Sequence, residues 1–194
     1  MRSHRAVLVP ALSLLLAAAV AVGVHAQSPA PQKTPDVPFV PTGEKIVIKM
    51  LEMAKVTNTD HLIDLGSGDG RIVITAAKRY GARGVGVEID PALVHEAREN
   101  ARAEGVAERA TFVQGDIFEA NIRDATVITM YLLPDVNMRL RPKLLSDLKP
   151  GTRIVSHNYD LGDWKPAQTA TVSVGSTQHT VYFWVVPPRA AGTK

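Results

Sequence analysis

Asp64-Leu65-Gly66-Ser67-Gly68-Asp69-Gly70 is the stretch on which the fold turns. It continues His61-Leu62-Ile63, so a short apolar strand runs directly into a glycine loop. Behind the loop, Arg71 to Tyr80 reads as a helix with Gly81 as its stop. Glycines permit positive φ and close approach of a ligand to the backbone, and a helix N-terminus favours an anion.

The pattern repeats downstream. Gly84 to Glu88 is a second buried strand, and Asp90-Pro91 sets a cap and a first-turn proline for a helix to about Glu104, with Gly105 after it. Thr111-Phe112-Val113 is a third strand and Ala125 to Tyr131 a fourth. A helix over Pro134 to Leu148 is ended by Lys149-Pro150-Gly151, and Arg153 to His157 is a fifth strand. Upstream, Thr42 is expected to cap a helix whose apolar positions are Ile46, Val47, Met50, Leu51 and Ala54. The tail breaks the alternation: Thr169–Val174 and Thr180–Val186 read as a hairpin joined by Gly175-Ser176-Thr177-Gln178. The expected fold is α/β and Rossmann-like. Five parallel βα units are closed by a C-terminal antiparallel hairpin into a seven-stranded sheet, with helices on both faces.

Ligands of such sheets bind outside the carboxyl ends of the strands, where the strand order reverses. The anion at the loop is either a dinucleotide pyrophosphate or the methionine carboxylate of S-adenosylmethionine (SAM). The dinucleotide fingerprint spaces its glycines G-x-G-x-x-G, but here the third glycine comes one residue early and Arg71 holds its place. Asp64 at the strand end suits the ammonium of SAM and sits poorly beside a pyrophosphate. Glu88 ends the second strand, where a carboxylate accepts from ribose hydroxyls. Asp116 follows the third strand, placed for the adenine amino group, with Ile89 and Ile117 on either side of the ring. The plainer alternative, three ordinary turn carboxylates, does not explain their recurrence at successive strand ends.

Composition excludes some chemistry. The chain has 194 residues and no cysteine, so disulfides, thiolate nucleophiles and cysteine-ligated metals are absent. Residues 1–26 carry two arginines and no acid, which leaves 20 basic against 19 acidic side chains in the rest. That balance offers no electrostatic footprint for nucleic acid. No His/Asp/Glu spacing reads as a metal site, and no serine sits in a nucleophile turn. Arg2, His4 and Arg5 precede an uncharged run from Ala6 to Val24, and Val24-His25-Ala26 precedes Gln27. The segment reads as a signal peptide or, since its length just spans a bilayer, as an N-terminal anchor. Both place the domain (42–188) outside the cytoplasm, periplasmic, secreted or membrane-anchored, although SAM is made in the cytosol. Residues 27–41, proline-rich, read as a linker.

Asp64-to-Gly70, Val87-Glu88-Ile89-Asp90 and Gln114-Gly115-Asp116-Ile117-Phe118 resemble the three SAM-binding motifs of class I methyltransferases. More narrowly, the chain resembles the protein-lysine methyltransferases related to the mitochondrial enzymes acting on ATP synthase c-subunit and adenine nucleotide translocase. Val37-Pro38-Phe39-Val40-Pro41-Thr42, Asp64–Val73, Tyr131-Leu132-Leu133-Pro134-Asp135-Val136-Asn137 and Arg139–Leu145 with Lys149-Pro150-Gly151 carry that likeness, over roughly Pro38 to Trp164. No Asn/Asp-Pro-Pro-Tyr follows the fourth strand, which argues against amide or nucleobase nitrogen as acceptor.

The resemblance implies SAM as cofactor, bound by Pro38, Phe39, Thr42, Asp64, Gly66, Ser67, Gly68, Gly70, Glu88, Ile89, Asp116 and Ile117. It makes the Pro38–Thr42 segment a lid; from the residues alone it is equally linker. Tyr131 would line the acceptor channel, and His157 is the candidate base, with a structural histidine as the alternative. Asp163-Trp164 is a rim contact or packing, and Phe183 and Trp184 read as core and surface strand residues. The expected activity is methyl transfer to a protein lysine, with a small-molecule acceptor, or a non-catalytic SAM-fold module at the cell envelope, as the competing readings. A nucleotide-binding oxidoreductase ranks third.

Overall fold

Near-continuous apolar strands need cover on both faces, and this chain supplies it from helices with one apolar stripe each. The computed structural model describes residues 38–189. The segment 1–26 and the linker residues before Pro38 lie outside the described residues.

The elements follow in the order α1 (Glu44–Met53), β1 (His61–Leu65), α2 (Arg71–Tyr80), β2 (Arg83–Glu88), α3 (Pro91–Ala103), β3 (Ala110–Gln114), β4 (Val127–Met130), α4 (Pro134–Asp147), β5 (Arg153–His157), β6 (Gln168–Val174) and β7 (Thr177–Val185). The seven strands form one sheet in the order β3-β2-β1-β4-β5-β7-β6. The first five are parallel, and β7 runs antiparallel to both β5 and β6. The order reverses between β1 and β4, so a crevice is expected at the carboxyl ends of these two strands.

Alternating strand residues divide the interior into two cores. Leu62, Val127, Val155, Val181 and Phe183 pack under α1, α2 and α3, with Ile46, Met50, Val73 and Val94. Ile63, Leu65, Ile128, Met130, Ile154 and Trp184 pack under α4, with Val136, Leu140 and Leu144. Burying each of these large side chains is worth about 1.5–3 kcal/mol. Phe183 and Trp184 are both buried, on opposite faces of β7, so neither is a surface residue. Trp184 donates its indole N–H to the Trp164 carbonyl at 2.7 Å, and the two rings pack, which makes Trp164 a packing residue.

Two local expectations are corrected. Gly43, not Thr42, is the N-cap of α1, and it offers no side-chain bond. Thr42 is instead buried, with its hydroxyl on His157. The hairpin turn is also tighter than expected, because Val174 pairs directly with Thr177, leaving Gly175-Ser176 as the loop. Gly175 has φ +59°, which lets two residues reverse the chain and draws Thr177 and Gln178 into the strand.

Candidate active site

The carboxyl ends of β1, β2 and β4 surround a cleft of about 400 Å³, within the range of small-molecule sites. All the expected cofactor-contact residues except Gly68 and Gly70 line it, together with Val40, Pro41, Asp69, Arg71, Ile72, Asp90, Leu93, Tyr131 and Leu132.

The two remaining glycines build the loop from behind. Gly68 has φ +52°, and a side chain there would overlap the ring of Phe39, which lies across it. Gly70, the αL N-cap of α2 at φ +84°, has Phe112 Cζ 2.5 Å and Ala97 Cβ 2.9 Å from where a methyl would stand. Gly70→Ala is therefore expected to lose about 2–4 kcal/mol from left-handed strain and overpacking together. Urea unfolding checks this, and a loss below about 1 kcal/mol would show that the contact relaxes freely.

Glu88 is buried and organises the loop through its carboxylate. Oε2 accepts from the Gly68 amide at 2.9 Å, and Oε1 from the amides of Ile89 at 2.8 Å and Asp90 at 3.0 Å. Three of its four lone-pair sites are thus filled by backbone, and one site on Oε2 stays open. Asp116 Oδ1 accepts from the Phe118 amide at 2.9 Å, fixing the turn after β3 at the cleft wall.

Asp64 is 2% exposed and accepts from the Thr129 hydroxyl, across the β1–β4 register, at 2.7 Å. Burial drives its pKa up to about 7, against the pull of the Thr129 bond and with help from the charges of Glu88 and Asp69. No cation acts on it among the described residues, and it faces the cleft. Ser67 Oγ, also at the cleft, is buried without a hydrogen-bond partner. A buried carboxylate lacking its cation, beside an orphaned hydroxyl, fits a ligand with both an ammonium and polar oxygens. The amino-acid end of SAM is such a ligand.

The segment before α1 is a wall of the site. Arg71 grips the Asp69 carboxylate with Nε at 2.9 Å from Oδ1 and Nη2 on Oδ2, and its Nη1 donates to the Thr42 carbonyl at 2.9 Å. The residue that displaces the third glycine is thus the clasp between loop and leading segment. In the sequence Arg71 is only a departure from a fingerprint, and no local signal points to its long-range bond.

Tyr131 lines the cleft, but His157 does not. His157 is 1% exposed and lies behind Tyr131, with ring centroids 3.9 Å apart. Nδ1 meets Thr42 Oγ1 at 3.3 Å and Nε2 meets His179 Nδ1 at 3.0 Å, so both ring nitrogens are engaged. Burial, with the nearby His179, pushes its pKa down to about 4, so the ring is neutral at pH 7. A base in direct contact with an acceptor is not what this placement provides. His179, 22 residues further on in β7, carries no signal in the sequence that would single it out.

A family model described as the ANTKMT methyltransferase domain matches residues 64–168. The chain is 50% identical over 153 residues to the protein-lysine N-methyltransferase of Saccharolobus islandicus, covering 78% of this chain and 95% of that protein. It is 33% identical over 151 residues to the human ATP synthase c-subunit lysine N-methyltransferase, covering 78% of this chain and 64% of the human one. Among solved structures, an RNA methyltransferase from Salinibacter ruber in complex with S-adenosylhomocysteine is 54% identical with a TM-score of 0.73. That match covers 80% of this chain and 98% of the other.

Proposed function

Since this chain belongs to the ANTKMT methyltransferase family and is a SAM-dependent methyltransferase, we propose that its acceptor is the side-chain amine of a protein lysine. Identity of 50% along nearly the full length of a protein-lysine N-methyltransferase is the observation that carries this reading. The site is consistent with it. Asp64 takes the ammonium of the cofactor, Glu88 Oε2 a ribose hydroxyl and Asp116 the adenine end, with Ile89 and Ile117 flanking the ring. Phe39 and Thr42 close the cofactor over from the leading segment.

Bound SAM supplies a methyl on a sulfonium, already activated for in-line displacement. The chain's own task is alignment and exclusion of water, and alignment alone supplies up to about 7–11 kcal/mol in the best cases. A lysine must also arrive neutral, from an ordinary pKa of about 10.4, and an apolar channel lowers that value. Tyr131, with Tyr159 stacked beside it at 6.3 Å, gives the acceptor an aromatic entry. The near-balanced charge of residues 27–194 speaks against RNA as partner. Export of the domain belongs to the same reading and rests on Arg2, Arg5 and the apolar run to Val24; among the described residues no helix is long and apolar enough to cross a membrane.

The test uses the full chain, methyl-labelled SAM, poly-L-lysine and total RNA. Label is expected in methyl-lysine after hydrolysis of the polymer. Tyr131→Ala should lower kcat about 100-fold, the scale of a misplaced acceptor, with SAM affinity retained. Label confined to RNA overturns the lysine reading, and SAM binding without transfer to either polymer favours a small-molecule acceptor.

A further inference from the structure

Resting on the amine-acceptor reading above, we propose that Thr42, His157 and His179 form a proton relay from the cleft to solvent. Three facts place them in series. Thr42 lines the cleft and is buried. His157 is buried one bond further in, its Nδ1 on Thr42 Oγ1 at 3.3 Å. His179 is half-exposed on β7, its Nδ1 on His157 Nε2 at 3.0 Å. A chain of hydrogen bonds therefore starts at the wall of the methyl-transfer site and ends at water.

The donors and acceptors have one self-consistent assignment. The Thr42 hydroxyl donates to His157 Nδ1, and His157 Nε2–H donates to His179 Nδ1. The Asn158 amide group, 3.4 Å from the same nitrogen, can only donate, which holds His179 as an acceptor at Nδ1. Asn158 is itself anchored, accepting from the Thr180 amide at 3.0 Å and held at φ +63°, an uncommon backbone conformation for a residue other than glycine. The backbone is thus bent to present this amide to the histidine pair.

Methyl transfer breaks the S–C bond and forms an N–C bond to a neutral amine, so one proton leaves the lysine ammonium for each methyl gained. That proton passes to Thr42 Oγ1 as the threonine's own proton moves to His157 Nδ1. The Nε2 proton of His157 moves to His179 Nδ1, and His179 gives one from Nε2 to water. No other co-reactant is needed. The weak basicity of buried His157 means that it passes a proton on without storing it. The groups facing the pair are Thr42 from the leading segment, Tyr131 from the end of β4 and Asn158 beside it. Among the described residues no carboxylate, lysine or arginine is hydrogen-bonded or ion-paired to either ring.

The experiment measures kcat and the KM for SAM of the full chain against pH, from pH 6.5 to 10, with poly-L-lysine as acceptor. For His179→Gln, which keeps a polar group but cannot relay, kcat at pH 7 is expected to fall at least about tenfold. The gap should close toward pH 10, where the acceptor amine arrives neutral, and added imidazole should restore part of the rate at pH 7. KM for SAM should stay within twofold of wild type. Thr42→Val, which interrupts the chain at its other end, should show the same pH-dependent deficit. A deficit equal at every pH and deaf to imidazole marks a structural role and overturns the relay, as does no deficit. An active wild type beside such variants overturns the relay alone. A wild type that leaves poly-L-lysine unmethylated overturns the lysine reading and the relay with it.

Discussion

Asp64→Asn should weaken SAM binding at least about 100-fold, while the ligand-free domain becomes more stable at pH 8. The two effects have one cause. Asp64 is 2% exposed, with the Thr129 hydroxyl as a partner and no cation acting on it among the described residues. Its folded pKa stands near 7, against an ordinary value of 3.8. A raised carboxyl pKa contributes stability that is complete below the unfolded value and is lost as pH climbs through the folded one. The free domain therefore loses stability between about pH 4 and 7, and asparagine, which carries no charge to bury, escapes that loss. Binding an ammonium reverses the preference. Removing one partner of a buried ion pair costs about 3–5 kcal/mol, hence the hundredfold or more. For the wild type, affinity should rise from pH 5 to pH 8, and at pH 6 binding should release close to one proton. Isothermal titration in two buffers of different ionisation heat reads that proton directly. Unchanged affinity in the variant, or no proton release at pH 6, would remove Asp64 from the cofactor site.

Glu88→Ala carries a comparable penalty through the backbone. The carboxylate accepts from the amides of Gly68, Ile89 and Asp90, which joins the glycine loop to the turn after β2. Hydrogen bonds to a charged group contribute about 1.5–3 kcal/mol each, and the loop amides regain water once the side chain is gone. A net loss of about 3 kcal/mol is expected, or roughly 6–12 °C in Tm for a domain of this size. SAM binding should fall at least about 100-fold, because the loop and the open Oε2 site are lost together. Glu88→Gln separates the two, since its amide nitrogen cannot accept: it should fold better than the alanine variant and still bind SAM weakly. Calorimetry with and without SAM checks this, and alanine-variant affinity within threefold of wild type would place the ribose elsewhere.

Every helix and strand of the alternating core was legible, most of them to within a residue or two of their ends. β1, α2 and β5 have the bounds that the apolar runs and the Gly81 stop imply, and Asp90 caps α3 by accepting from the Ala92 amide. The carboxylates at strand ends were legible too, because parallel strands of similar length bring Asp64, Glu88 and Asp116 to one cleft. What stayed hidden depends on contacts far apart in the chain. Thr42 has the local chemistry of a cap, yet its partner lies 115 residues away. A strand-end histidine gives no hint of which side it faces. His157 turns away from the cleft because β7, arriving last in the chain, brings His179 against it. Arg71 is read differently for the same reason: its value is set by the Thr42 carbonyl, which no nearby residue announces.

Helix α1 lies wholly before Asp64, where the match to the family model begins, and β7 lies wholly after it ends at residue 168. Yet α1 packs against β5 and β7, and Ile46, Val47, Met50 and Leu51 are core residues under the sheet. The recognisable signature of this family and its folding unit are therefore different segments. The signature holds the chemistry of the cofactor, while the flanks supply one wall of the site and a large share of one core. A boundary drawn at the signature would cut through an interior, and mutations in the unremarkable flanks will be felt as losses of activity.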